Sequence, residues 1–472
     1  MLSGSPARCR TPEQPQAAPL VEIEPSAEQR RVAVRQVNLG KAGPTKYQEV
    51  PLIIKEIKPL ENLDATLTLP GSKSYTHRAL IAAALASGES VLTNALNAED
   101  TELTARALAL MGARLDWQGH TVRLRGTGGR PAPVSESIYL GNSGTSMRFL
   151  TAVAALGRGT YRLAGTPRLC ERPMGELLEA LKDLGVTAIS EKGNDCPPII
   201  VHGGGVAGGK TSLSGAVSSQ YLSALLLVGP LSSRGVEIEV TGELVSRPYV
   251  DITLSVLSAF AITYSREAYR RFVIPGGQAY ASREYGIEAD ASSASYFWAA
   301  AAVTSGRVTI ANLDLESVQG DIDFLSVLAR MGCHLISSSQ GITVEGGPLR
   351  GIVMDMSAMP DLVPTLGVLA AFAQGETVIQ GVAHLRHKES NRLAAVVAEL
   401  RKMGIAAEET SDGLRIVGGN PHGAEIDTYQ DHRIAMSFAV AGLKVPGVII
   451  RDPGCVAKSF PDFWEYLEKL ST

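Results

Sequence analysis

In LPGSKSYTHRAL, residues 69–80, Lys73 and Arg78 flank the polar run Ser74, Tyr75, Thr76 and His77. A Pro-Gly pair precedes the run and the alanine-rich ALIAAALASG follows, so a helix begins here. A helix N-terminus carries the positive end of the peptide dipole, where a cation gains nothing. The same oddity recurs at Arg148 in GNSGTSMRFL and at Arg433 in YQDHRIAMSF. Free amide N–H groups, the dipole and basic side chains gathered at one point make an anion trap. Loops add Arg168 and Arg172 in GTPRLCERP, Lys388 and Arg392 in RHKESNRL, and Lys458 in CVAKSFPDF. The chemistry this set supports is the capture of a ligand bearing several negative charges. Asp361 in MPDLVP and Glu389 in HKESNR sit in that cationic company, which keeps carboxylates ionised and fit to act as bases. Any one of these acids or serines, taken alone, reads as a helix cap. Capping leaves the cations unexplained, and such breaks of a local rule tend to mark function.

The elements that must position these residues repeat. Six segments each open on a small or polar cluster, run into an Ala/Leu-rich helix and end in a β-branched strand. They start at residues 71, 141, 215, 289, 359 and 429, and the polar residues fall at each helix start. These are Lys73, Ser74 and Arg78; Asn142, Thr145 and Arg148; Ser218, Ser219 and Gln220; Asp290, Ser292 and Ser293; Asp361; Asp431, His432 and Arg433. Between the copies lies an amphipathic helix, a pivot at Gly112, Gly185, Ala261, Gly332 or Gly404, and a strand–turn–strand. The predicted unit is β-α-β-α-β-β, which gives an α/β chain. Six repeats also suit a solenoid scaffold, but solenoid periods are typically about 20–50 residues. A unit of about 70 residues is large enough for three to make one compact lobe.

Composition narrows the class. At 472 residues the chain exceeds one ordinary core, which predicts two domains. A formal net charge of −4 disfavours nucleic acid and anionic membranes as partners, so the basic residues must act by local concentration. The five cysteines, Cys9, Cys170, Cys196, Cys333 and Cys455, are scattered without a CxxC pair, which suits a reducing cytoplasm. No apolar run approaches the ~18 residues that span a bilayer. Residues 1–50 are proline-rich and without steady period, and are expected to be a disordered tail. GGVAGGKT, residues 204–211, satisfies the phosphate-loop expression, but the serine-rich SLSGAVSSQ follows where that motif needs a helix. Cys170, between Arg168 and Arg172, reads as an incidental loop cysteine, and the eight histidines show no metal-ligand spacing.

Ten ordered stretches then point one way: LPGSKSYTHRAL, LGNSGTSMRFL, GTPRLCERPMG, SSQYLSALLL, GELVSRPYVDITL, EADASSASYF, MPDLVPTL, RHKESNRL, YQDHRIAMSF and DPGCVAKSFPDF. Over residues 51–472 the chain resembles the 5-enolpyruvylshikimate-3-phosphate (EPSP) synthase family of enolpyruvyl transferases. The resemblance implies an inside-out, barrel-like α/β fold of two lobes, each of three β-α-β-α-β-β units, with one lobe at 51–71 plus 289–472 and the other at 72–288. It implies transfer of the enolpyruvyl group of phosphoenolpyruvate to shikimate 3-phosphate with loss of phosphate, in a monomer, without metal or organic cofactor. By motif, Lys73, Ser74, Arg78, Ser218, Ser219, Gln220, Ser246, Asp361 and Lys388 would hold shikimate 3-phosphate. Lys73, Gly144, Arg172, Gln220, Arg392, Arg433 and Lys458 would surround phosphoenolpyruvate, with Asp361, Glu389 and Lys73 moving protons.

The chain departs from the family pattern at His384, where many members have asparagine, and at Phe149, where proline is common. Ser143 and Ser146 replace alanines of one subgroup. The rival reading is the sister enzyme that uses a UDP-sugar, UDP-N-acetylglucosamine enolpyruvyl transferase. That family has Lys-Asn where this chain has Lys73-Ser74, and a loop cysteine where this chain has Pro167.

Overall fold

The computed structural model describes residues 32–35 and 49–471. Most of the tail expected to be disordered lies outside the described residues. Within it, Val32–Arg35 pairs antiparallel with Glu49–Leu52.

The six copies form six units, built as the periodicity predicts. The helices in chain order are α1 (Lys73–Leu85), α2 (Glu99–Leu110), α3 (Gly144–Leu156), α4 (Gly175–Asp183), α5 (Ser219–Val228) and α6 (Pro248–Ala259). They continue as α7 (Ala291–Thr304), α8 (Phe324–Met331), α9 (Val363–Ala371), α10 (Arg392–Lys402), α11 (His432–Gly442) and α12 (Phe463–Glu468). In the second unit, Ile138–Tyr139 pairs parallel with Gly159–Ala164 across α3, then Ile199–Gly203 and Thr187–Ser190 add antiparallel. A parallel pair needs a crossover helix, which is why each unit begins strand–helix–strand. Four more four-stranded sheets repeat this order, and the last unit's sheet has three strands, its third being Ile54–Ile57 from the chain start.

The two chain crossings exchange a strand. Asp64–Leu67 pairs with Arg307–Ile310 of the fourth unit, while Glu284–Gly286 pairs with Glu89–Thr93 of the first. Two separate cores result, one from Tyr75 to Ile287 and the other from Ile57–Leu69 plus Ala289–Leu470. Helices α1, α3, α5, α7, α9 and α11 are buried on nearly every side, so their alanine-rich sequences carry no polar face. The sheets cover them from outside and none closes into a barrel. At the crossing, one carboxylate caps a helix in each lobe. Asp290 Oδ1 accepts from Ser293 N at 2.7 Å and its Oδ2 from Lys73 N at 3.0 Å.

Candidate active site between the lobes

Five of the six inner-helix starts meet at one narrow cavity of about 50 Å³. Lys73 and Ser74 come from α1, Thr145 from α3, Ser218, Ser219 and Gln220 from α5, Asp361 from the turn before α9, and His432 from α11. The exception is α7, whose polar start does not line the cavity; Asp290 serves as the double cap instead. The cavity widens at its rim into a space of about 270 Å³ lined by Arg148, Arg172, His384, His387 and Lys388.

At its floor, four carboxylates hold the cations. Arg392, 1% exposed, donates from Nη1 to Asp361 Oδ1 (2.8 Å), from Nη2 to Glu389 Oε2 (2.9 Å) and from Nε to Asp431 Oδ2 (2.8 Å). Arg433 donates to the other Asp361 oxygen at 2.9 Å and to the Tyr296 hydroxyl at 3.1 Å. Burial would raise the Asp361 carboxyl, but Arg433, Arg392 and Lys388 together hold it well below the usual range. Glu389 is held down likewise, against burial, by Arg172, Arg392 and Lys458. Both acids are therefore carboxylates at neutral pH, able to take a proton. Lys388 goes the other way: burial outweighs Asp361 and lowers its ammonium to about 8.

Several of these contacts cross between the lobes. Lys458 Nζ reaches Asp100 Oδ1 at 2.7 Å and the Asn142 carbonyl at 2.9 Å. Lys73 Nζ shares that buried carboxylate at 3.3 Å, and Arg172 Nη1 lies 3.5 Å from Glu389 Oε1. Ser246, at φ +55°, donates its backbone N–H to the Ser357 carbonyl at 3.0 Å. Left-handed backbone at a residue with a β-carbon is strained, and such strain gathers at functional sites. Arg148 donates to Gln220 Oε1 at 2.8 Å, and Gln220 Nε2 to Thr145 Oγ1 at 3.0 Å. Gly144 lies directly under the Arg148 and Arg172 guanidiniums: a β-carbon there would stand 2.6 Å from each. The missing side chain at this helix start is thus what lets the two guanidiniums approach it so closely.

The comparisons agree with this geometry. Residues 57–467 match the family model described as EPSP synthase (3-phosphoshikimate 1-carboxyvinyltransferase). The chain belongs to the EPSP synthase family. A relative from Nostoc sp. named 3-phosphoshikimate 1-carboxyvinyltransferase is 45% identical over 411 residues, covering 86% of this chain and 97% of its own. One of the same name from Syntrophobacter fumaroxidans is 46% identical over 421 residues, covering 89% of this chain and 100% of its own. Among solved structures, the 2.37 Å EPSP synthase of Acinetobacter baumannii superposes with TM-score 0.74 at 28% identity, covering 89% of this chain and 98% of that one.

Seen as an EPSP synthase site, the residues expected from sequence fall in or against the cavity, with differences of detail. Lys73, Ser74, Arg78, Arg172, Ser218, Ser219, Gln220, Ser246, Asp361, Lys388, Glu389 and Arg392 line it. Arg433 and Lys458 stand one contact behind, bonded to Asp361 and Asp100. Arg78 is bound within its own lobe: its guanidinium donates to Thr253 Oγ1 (2.6 Å), the Ser74 carbonyl (2.8 Å) and the Tyr249 carbonyl (2.9 Å), with Phe149 beneath it at 5.0 Å. It organises Ser74 and Tyr249, and Phe149 supplies its aromatic seat. Ser143 caps α3 and bonds Ser146 (2.7 Å), which bonds Thr104 (2.8 Å) and so reaches His77 (2.8 Å). His384 lines the cavity with its Nε2 unpartnered, and burial, helped by Lys388, lowers its imidazole to about 3, so it is neutral. Sequence reasoning missed Asp100 and Tyr249 as site residues, and named Thr145 only as a polar helix start. Tyr249 was foreshadowed only by its place in GELVSRPYVDITL, and its hydroxyl lies 3.4 Å from Asp361.

Proposed function

We propose that this chain transfers the enolpyruvyl group of phosphoenolpyruvate to the 5-hydroxyl of shikimate 3-phosphate and releases phosphate. The observation that carries the reading is Asp361, an ionised carboxylate held between Arg392 and Arg433 at the floor of a cationic gap between the lobes. Asp361 accepts the 5-hydroxyl proton as that oxygen bonds to C2 of phosphoenolpyruvate, while Lys73 delivers a proton to C3 and the ionised Glu389 stands ready to take one back. The tetrahedral adduct then loses a C3 proton, the double bond re-forms, and phosphate departs among Arg172, Arg392, Arg433 and Lys458. Positively charged donors fixed in a dry site stabilise that leaving charge without reorganising. Lys73, Ser74, Ser218, Ser219, Gln220, Ser246 and Lys388 hold shikimate 3-phosphate, and Arg78 braces that wall.

Lys458–Asp100 and Arg172–Glu389 bridge the gap between the lobes, so the lobes part to admit the substrates and close over them. We assign the lobes to 51–71 plus 289–472 and to 72–288, following the two cores. Among the described residues no helix is long and apolar enough to cross a membrane, and the four described cysteines are free, which fits a cytoplasmic setting. The test is phosphate release by the purified protein. It should require phosphoenolpyruvate and shikimate 3-phosphate together; release driven by UDP-N-acetylglucosamine instead would move the chain to the sister activity.

A further inference from the structure

Arg168, one of the loop cations in GTPRLCERP, lines neither the cavity nor its rim. Its guanidinium instead spans the gap between the lobes and meets backbone. Nε donates to the Lys388 and Glu389 carbonyls, both at 3.2 Å, and Nη2 to the Lys388 and Arg386 carbonyls at 2.9 and 3.4 Å. The remaining Nη1 donates to Glu171 Oε2 at 3.0 Å, which aims the fork from its own loop. The segment so gripped, residues 386–389, carries Lys388 and Glu389 and leads through the Asn391 cap into α10 at Arg392. Four residues along Arg168's own loop is Arg172, which faces Glu389. A planar fork of donors suits this task, since several carbonyls can be held in one orientation at once. We propose that Arg168 is a positioning residue that locks the closed lobes together through the 386–389 backbone, fixing where Lys388 and Glu389 stand when the lobes meet. This rests on the activity proposed above, because Arg168 touches no reacting atom.

Arg168→Ala and Arg168→Lys test it. Each lobe has its own core and Arg168 is a third exposed, so thermal stability should be unchanged in both variants. In Arg168→Ala, kcat should fall by about tenfold or more, the equivalent of one charge-assisted hydrogen bond. Arg168→Lys, which keeps a charge and donors but loses the fork, should recover part of that fall. Small-angle scattering should give a larger radius of gyration for Arg168→Ala than for wild type, free and with saturating shikimate 3-phosphate. Wild-type kcat and radius in Arg168→Ala would overturn the proposal, as would a kcat loss matched by a lowered melting temperature. Should the wild type itself show no turnover, the activity assignment fails; the free-protein radius then decides the case of Arg168 alone.

Discussion

Replacing Gly144 by alanine isolates the part of the site proposed to hold phosphoenolpyruvate. The new methyl would lie 2.6 Å from Arg148 Nη1 and from Arg172 Cζ and Nη2. Optimal separation between such heavy atoms is about 3.5–4.0 Å, so the guanidiniums must retreat by about 1 Å. They are ends of flexible side chains, so they can move. Gly144 has no left-handed φ and begins α3, where alanine is the better helix former by about 1 kcal/mol. The fold is therefore spared and the melting temperature should hold or rise. The site is not spared, because a 1 Å misplacement of a positioning group costs about 100-fold in rate. Phosphate release, followed at varied phosphoenolpyruvate with saturating shikimate 3-phosphate, should show kcat/KM for phosphoenolpyruvate down about 100-fold, and KM for shikimate 3-phosphate nearly unmoved. A variant whose kcat/KM for phosphoenolpyruvate matched wild type would show that Arg172 does not bind that ligand, and the close approach of the guanidiniums to Gly144 would lose its meaning.

Other perturbations separate the remaining roles. With its ammonium lowered to about 8 by burial, Lys388 is charged below that pH and neutral above it, so kcat/KM for shikimate 3-phosphate should decline as pH rises through about 8. Lys388→Arg stays protonated and should carry the plateau to higher pH; an unchanged alkaline limb would acquit Lys388. Asp361→Asn should still bind shikimate 3-phosphate in calorimetry yet lose about 10²–10⁴ in kcat, the span of one general base, and wild-type turnover would disprove its role. Asp100→Asn strands Lys458 and Lys73 and should loosen closure, visible as a larger radius of gyration and a kcat loss. Folded-state Asp100 is held far below its ordinary value by Lys458 and Lys73 against burial, so its stabilisation is present above the ordinary carboxylate range and fades as pH falls below it. Denaturant titration from pH 7 to below that range should show a steeper loss for wild type than for Asp100→Asn.

What the sequence could disclose follows from the range of its signals. Helix starts are local, so Lys73, Thr145, Gln220, Asp361 and Arg433 could be placed at equivalent points of one repeated unit before any coordinate was known. The exchanged strands were not legible. Asp64–Leu67 and Glu284–Gly286 are short, and only pairing with a distant unit shows which sheet each completes. Asp100 escaped for the same reason. It looks like an ordinary acid in the first turn of α2, where the dipole welcomes it, and its partner Lys458 is 358 residues away. Arg78 and Arg168 show the converse limit. A cation at a helix start or in a site loop announces an unusual duty without saying whether it meets ligand or backbone.

The charges explain why so many cations can be held in readiness. Lys73, Arg172, Lys388, Arg392, Arg433 and Lys458 would repel one another in a gap this narrow if nothing compensated them. Asp100, Asp361, Glu389 and Asp431 bond to or face most of the set directly, two of the pairs crossing between the lobes. Compensation is incomplete, and Lys388 shows it: among the described residues it makes no ion pair with these carboxylates, and burial loosens its proton. A pair of substrates bearing two phosphates and two carboxylates supplies the missing negative charge, so binding should tighten the Lys388 proton and strengthen closure together. In the proposed mechanism two of these carboxylates, Asp361 and Glu389, also carry protons: they are ionised because cations surround them, and the arginines bonded to them fix where they stand. Charge storage and proton transfer are in this way one arrangement, which is why a neutral substitute at Asp361 should lose turnover before it loses the fold.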